Sequence, residues 1–522
     1  MTLNQHMRAA SSDGGAARVP EFDAVVARFT EVVGPEWVLL DEGRVSEFRD
    51  PFEGPDATEH QPRFVVQPGT VEEVQAVVRI ANELGVPLWT SSMGRNFGYG
   101  GSAPVVNGSV VLSLRRLNRV LEVDEAAGYV LFEPGVTFFD LYEELRRRDI
   151  KLAISVPDLG WGSVMGNALQ HGFGYHQHGI HADAVCGLEV VLADGDLLRT
   201  GHGANPRSTL WQAHKRGFGP TIDNLFMQSN FGVVTKMGLW LAPRPEVITT
   251  GAIICEGDDD IVPLVEMLRP LVRNGTVQGL PLLAGTRYVP DDATGVAADL
   301  GRRLRKAARP GRWNARISMY GDARIVAAQQ AVIEERVAEI PGAKLTLNTY
   351  PGDIGPDEIE VRDRVPAGIP SMLLLNVMKE HFYGDNLGHI DFSPIIPFEG
   401  QAAAKHERMV TSVLDEFELT GFFSWIVNSR TMVGACMVLF DRTSAEEVAR
   451  AHAAVRKMCD LAAEWGWTEY RAHIALGDEI AKNFDFNDFA LSRTYTKIKD
   501  ALDPNGILSP GSHGIWPSPM RD

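Results

Sequence analysis

Between residues 91 and 104 the chain reads Ser-Ser-Met-Gly-Arg-Asn-Phe-Gly-Tyr-Gly-Gly-Ser-Ala-Pro, which places Gly94, Gly98, Gly100 and Gly101 in one short connection. The apolar run Val86 to Thr90 before it reads as a strand, so the glycines fall where the backbone leaves a sheet and can approach a ligand closely. Gly98-x-Gly100-x-x-Ala103 nominally fits a dinucleotide fingerprint, but that motif must open a helix. Here Pro104 leads instead through Asn107-Gly108 into Val110-Val111-Leu112, a turn and a further strand. The Rossmann reading fails on this context. What remains is a nest of backbone N–H groups able to hold a pyrophosphate without a helix dipole, although such turns also serve as plain strand connections.

A chain of 522 residues has room for two or more cores, and two domains are expected. A formal net charge of -18 opposes a nucleic-acid or anionic-membrane partner. No apolar run reaches the length of a membrane span, and Met1 to Pro20 lacks a charged start followed by an apolar core, so residues 1–20 read as a flexible leader on a cytoplasmic protein. Cys186, Cys255, Cys436 and Cys459 are scattered without a CxxC pair, which suits reduced, buried thiols.

Along the chain, Arg63 to Gln67 reads as a strand, and Thr70 to Glu73 forms a capping box before a helix that stops at Gly85. Strands follow near Val110 to Leu114, Val120 to Val123 and Tyr129 to Glu133, then a helix capped by Thr137 that runs to Arg148. Residues 156–181 form a second glycine-rich segment ahead of a strand at Leu188 to Leu192, and two cradles in one domain suggest one long, flat ligand. Another strand begins at Gly232. After Pro245 the texture changes to a strand (Ile248 to Cys255), a helix (Asp260 to Val272), a polar connector, a helix (Asp322 to Ile340), strands near Met372 and Ile426, and a long helix from Ser444 to Trp465. The turn-rich tail after Thr468 is expected to return to the first domain.

Three stretches carry a resemblance: Gly94-Arg95-Asn96 with Gly98-Tyr99-Gly100-Gly101, Pro157-Asp158-Leu159-Gly160-Trp161-Gly162-Ser163, and Glu469-Tyr470-Arg471-Ala472-His473 with Asp503-Pro504-Asn505-Gly506. Together they resemble the vanillyl-alcohol oxidase and 4-cresol dehydrogenase flavoprotein family, in its 4-phenol oxidising branch. The resemblance implies an α+β, two-domain fold: an FAD-binding domain from 21–245 plus 468–522, and an inserted α+β cap domain at 246–467. It implies FAD cradled by Ser92, Gly94, Arg95, Asn96, Gly100, Gly101, Pro157, Gly162, Ser163, Gly166, Asn167, Gly232 and Val234. Tyr99, Tyr470 and Arg471 match an anion site for a phenolate, and two phenol donors beside a permanent guanidinium would lower the pKa of a bound phenol. Asp158 matches the family's acid/base carboxylate, and His389 the position at which members bond the flavin C8 methyl to histidine. Tyr175 and Asp391 are expected in the substrate pocket.

The chain also departs from its relatives. His176, Gln177, His178 and Ile180 replace the usual residues around Tyr175 and His181, and His176-x-His178-x-x-His181 has the spacing of a metal seat, but with no carboxylate or cysteine at a matching interval no metal is expected. Pro510-Gly511-Ser512-His513-Gly514 stands where relatives carry Pro-Gly-Lys-Ser-Gly, which makes His513 a candidate for the missing positive charge. Asp391 stands where relatives carry an aromatic residue or glycine; a carboxylate there favours a polar ring substituent or repels an acidic one.

The expected function is FAD-dependent oxidation of 4-alkylphenols, 4-allylphenols such as eugenol, or 4-hydroxybenzyl alcohols. Hydride passes to flavin N5, giving a p-quinone methide, and O2 is reduced to H2O2 by an assembly expected to be a homodimer. The alternatives are a dehydrogenase of the same fold passing electrons to a cytochrome, a metal-dependent hydrolase built on His176 to His181, and a non-enzymatic flavin carrier.

Overall fold

The computed structural model describes residues 22–286 and 311–521, together with 295, 299 and 301–303 between them; the leader expected at 1–20 lies outside the described residues. The first glycine-rich loop leaves a small sheet in which Phe64–Val66, Val110–Ser113 and Leu88–Ser91 run parallel, with Val38–Leu39 antiparallel at one edge. Helix Val71–Leu84 covers it. Thr70 caps that helix by accepting from the Glu73 amide, and Gly85, at φ +64, ends it as the glycine stop requires; the expected box is only half formed, because the Glu73 carboxylate accepts from the Gly69 amide at 2.6 Å rather than from Thr70. Val74, Val77, Val78 and Ala81 on its inner face pack against Phe64, Val66, Leu88 and Leu112.

A second sheet of five antiparallel strands is ordered Val120–Asp124, Tyr129–Phe132, Val233–Trp240, Val185–Val191, Leu197–Arg199. The C-terminal tail stitches the two halves of this region together. Leu88 donates to the Ile507 carbonyl and accepts from the Ser509 amide, both at 2.7 Å. Lys499, with no exposed side-chain surface, donates to Asp503 and to the carbonyls of Asn230 and Leu508, each at 2.7 Å, so its charge is fully partnered where it is buried.

From Val247 to Asp441 the chain builds a third, larger sheet ordered Lys344–Pro351, Val247–Cys255, Trp313–Gly321, Gln278–Gly285, Thr420–Val427, Thr431–Asp441, Leu387–Phe392, with Ile395–Pro397 pairing beside it. Helices Ile261–Arg273, Ala323–Val337, Gly400–Glu416 and Ala445–Ala463 back this sheet around Trp313, Phe423, Trp425 and Phe440. Two expectations are corrected. The polar connector after Val272 contains the strands Gln278–Gly285 and Trp313–Gly321, and the segment near Met372 is a helix, Leu373–His381, in which Leu375 and Met378 share the buried face. Alternation explains the first correction: Trp313, Ala315, Ile317 and Met319 point into the core, while Asn314, Arg316 and Ser318 occupy the other face. Among the described residues no helix is long and apolar enough to cross a membrane.

Candidate active site

The uncovered face of the large sheet closes over the two glycine-rich loops, leaving a cavity of about 630 Å³. Ser92, Gly94, Arg95, Asn96 and Gly101 of the first loop line it, with Pro157, Gly162, Ser163, Gly166 and Asn167 of the second and Gly232 and Val234 beside them. Gly100 does not; a Cβ there would meet Ile474 at 2.7 Å. The first loop is also less of a nest than its composition suggests. The amides of Tyr99 and Gly101 donate to the Asn96 carbonyl and that of Ala103 to the Gly100 carbonyl, so these N–H groups close the turn rather than face a ligand.

Whether FAD fits can be judged from the walls. A Cβ on Gly94 would meet Ser102 Oγ at 2.0 Å and one on Gly166 would meet Ser92 Oγ at 2.5 Å, so both loops need glycine to lie this close. Ser163 caps the helix Val164–Leu169 by accepting from the Gly166 amide at 2.9 Å, which sets the second loop against the first. The buried Trp161 indole N–H and Arg471 Nε have no protein partner, and the volume suits a large planar cofactor. The residues present fit an FAD.

At one end of the cavity three chain segments are bonded together. Asp391 donates its amide to the Gly98 carbonyl at 3.2 Å, Tyr470 to the Ser393 carbonyl at 3.1 Å, and Ile474 to the Tyr99 carbonyl at 3.3 Å. This knot brings Tyr99 to the adjacent pair Tyr470 and Arg471, from which it lies far away in sequence. The Arg471 guanidinium stands 4.3 Å from the Tyr99 ring centroid and donates to the Tyr470 hydroxyl at 3.1 Å. Tyr99 Oη lies 3.0 Å from Ser393 Oγ. Burial, with the Tyr470 and Asp391 oxygens adding to it, pushes the Tyr99 hydroxyl well above the usual phenol range against the pull of Arg471, so it stays protonated and can donate. For Arg471, burial works against the charge, but the Tyr470 and Tyr99 oxygens more than offset it and the guanidinium stays charged.

Asp158 also lines the cavity and accepts from Arg316 at 2.9 Å, with side chains 19% and 10% exposed. Arg316 lies 4.1 Å from the Tyr175 ring centroid, and burial followed by the Asp158 charge pushes the Tyr175 hydroxyl well above its ordinary value. Arg316 is a site residue that sequence reading misses, because it lies in the strand taken for a connector.

Glu469, Ser393 and Gln228 complete the knot. Gln228 donates to the Tyr470 carbonyl at 2.7 Å, and Glu469 accepts from the Ser393 amide. Burial pushes the Glu469 carboxyl up to about 8, with nearby Asp391 adding to the rise, so it is mostly neutral at pH 7. Because the folded pKa lies above the unfolded value, its contribution to stability is complete at low pH and is lost as pH rises through about 8. The stability advantage of the native chain over Glu469→Gln should therefore shrink by up to a few kcal/mol between pH 5 and 8. Urea midpoints of the two proteins across that range check this; a constant difference contradicts it.

His176 and His181 face different neighbours. His176 packs on the Tyr320 ring at 4.0 Å, and burial pushes it down to about 3; His181 spans the Asn167 side chain and the Ser155 carbonyl. Among the described residues no group of three or more His, Cys, Asp or Glu could hold a metal. His513 is corrected as a source of charge. It lies between Ser512 and Gln170, and burial, with His171 and Arg471 nearby, pushes it down to about 4, leaving it neutral at pH 7.

Comparison with known proteins reaches the same region of fold space. Residues 62–201 match an FAD binding domain, and 430–513 match the C-terminal domain of FAD linked oxidases. The chain is 33% identical over 508 residues to the 4-cresol dehydrogenase [hydroxylating] flavoprotein subunit of Pseudomonas putida, covering 95% of this chain and 96% of that one. Its structure is similar to 4-ethylphenol oxidase from Gulosibacter chungangensis in an isoeugenol complex (TM-score 0.88, 35% identity, 97% of this chain and 99% of that chain). It is also similar to p-cresol methylhydroxylase with substrate bound (TM-score 0.87, 31% identity, 96% and 98%).

Proposed function

Given that the chain belongs to the vanillyl-alcohol oxidase and 4-cresol dehydrogenase family of FAD-dependent phenol oxidoreductases, we propose that it oxidises para-substituted phenols, 4-alkylphenols and 4-allylphenols foremost, with dioxygen as acceptor. The observation that carries this reading is the cluster of buried Tyr99 with half-buried Tyr470 and Arg471 lining an FAD-sized cavity. We assign FAD binding to residues 21–245 and 468–522 and the cap to 246–467, with His389 as the covalent link.

A phenol enters with its oxygen toward Tyr99, Tyr470 and Arg471. Two hydroxyl donors and a fixed cation in a dry site stabilise its anion, so the proton leaves at a pH where the free phenol keeps it. The phenolate pushes electron density to the para carbon and loosens the α-hydrogen. The bound flavin supplies the acceptor for that hydrogen as hydride. The substrate becomes a p-quinone methide, electrophilic at its α-carbon, and Asp158, held by Arg316, orients water toward that carbon and takes its proton. A 4-hydroxybenzyl alcohol gives an aldehyde instead.

A second reading, with electrons passed to a protein partner, is favoured by one observation: the Pseudomonas putida relative is a flavoprotein subunit. One experiment tests both. In air with no added acceptor, 4-ethylphenol should be consumed with equimolar release of hydrogen peroxide; anaerobic bleaching of the flavin without turnover in air favours the partner, and no bleaching at all overturns the phenol reading.

A further inference from the structure

His389 and Asp391 lie two residues apart on the strand Leu387–Phe392, so both leave the same face of the sheet, and both line the cavity. His389 Nδ1 is 2.8 Å from Asp391 Oδ1, and the two side chains are 7% and 12% exposed. An ionised carboxylate only accepts, so the imidazole proton belongs on Nδ1, and Nε2 is left as the nitrogen with the lone pair. Nε2 has no hydrogen-bond partner among the described residues. The pair is clamped from two sides. The Phe52 ring centroid sits 4.6 Å from that of the imidazole, and Gly98, at φ +77, is so close that a Cβ would meet both Asp391 Cγ and His389 Cε1 at 2.7 Å.

We propose that Asp391 is the positioning residue that turns His389 into the nucleophile for the flavin: it fixes the tautomer and the ring plane so that Nε2 faces the cofactor's C8 methyl. The proposal rests on the reading of His389 as the covalent link. In the bonding step Nε2 joins the methyl carbon and one methyl C–H bond breaks. The imidazole gives up its Nδ1 proton, and the two electrons enter the isoalloxazine ring system. Dioxygen then takes those electrons with the two protons and leaves as hydrogen peroxide. As Nε2 becomes alkylated, positive charge develops on the imidazole, and the Asp391 carboxylate is in contact to stabilise it. Without the carboxylate nothing keeps the proton off Nε2 and the ring is free to turn. The same contact makes Asp391 a partner of His389 before it is a selector of ring substituents.

The test divides bound flavin into covalent and releasable fractions. Native protein, D391A and D391N are purified, their total flavin is read from the visible spectrum, and each is precipitated in acid so that only bonded flavin stays on the protein. The native protein should retain its flavin on the peptide containing His389. D391A should still bind FAD when folded but retain about tenfold less of it after acid. D391N, nearly isosteric and able to accept from Nδ1 without the charge, should fall between them, which keeps the outcome readable if D391A fails to fold. Retention by D391N or D391A equal to the native protein overturns the proposal. Release of all flavin by the native protein also overturns it, because there is then no bond to prepare, yet anaerobic bleaching by 4-ethylphenol would still stand and separates this failure from failure of the phenol reading.

Discussion

Replacing Arg471 with methionine will lower kcat/KM for 4-ethylphenol by about a thousandfold, or about 4 kcal/mol of transition-state stabilisation. Among the described residues the guanidinium is the one cation lying against both tyrosine rings, at 4.3 and 5.4 Å from their centroids. Its removal leaves Tyr99 and Tyr470 as neutral donors facing a phenol that no longer gains from ionising, and it leaves the Asp391 charge without the cation that offsets it. Lysine restores charge without the planar fork that reaches Tyr470 while lying against Tyr99, so Arg471→Lys should recover only part of the loss. Steady-state rates across pH check this. In the methionine variant the residual rate should rise toward the pH at which the free phenol ionises, and a native pH profile with a merely lower ceiling contradicts the assigned role.

Asp158→Asn is the second large effect. In the native chain Arg316 Nη1 is paired with Asp158, whereas its Nε and Nη2 are buried without partners, so the carboxylate is the charge that justifies this guanidinium. The amide leaves a buried cation unpaired, at a cost of about 3 kcal/mol in stability. If Asp158 is the proposed water-directing base, the amide should also lower the yield of hydrated product by about a hundredfold. The double variant Asp158→Asn, Arg316→Met separates the two. It should recover most of the lost stability, since both charges are gone, but none of the hydration. Recovery of both would make Asp158 a structural partner of Arg316 and nothing more. Urea midpoints together with product analysis read the cycle.

Much of this site is legible in the chain because its determinants are local. The glycine cluster at 94–101 and the Thr70 and Thr137 caps depend on neighbours within a few residues, and the corresponding helices begin where those caps put them. The Tyr99, Tyr470 and Arg471 cluster is legible only through resemblance, since nothing in the sequence says that residues more than 350 apart meet at Ser393. Arg316 is obscured for another reason. Its strand alternates cleanly between core and polar residues, but the polar face looks into a cavity rather than water, and the sequence from 287 to 310 ahead of it has the charge of a connector. The neutrality of His513 and Glu469 follows from burial, which becomes visible only when the tail and the strand end at Ser393 close over them.

The central claim is that the cavity ionises a phenol on binding. A 4-alkylphenol whose α-carbon carries no hydrogen, such as 4-tert-butylphenol, can bind without reacting, and its ultraviolet difference spectrum reports its charge. The bound phenol should absorb as phenolate at neutral pH, well below the ordinary phenol pKa of about 10, and should lose that signature in Arg471→Met. A bound phenol that stays neutral up to its solution pKa would contradict the account.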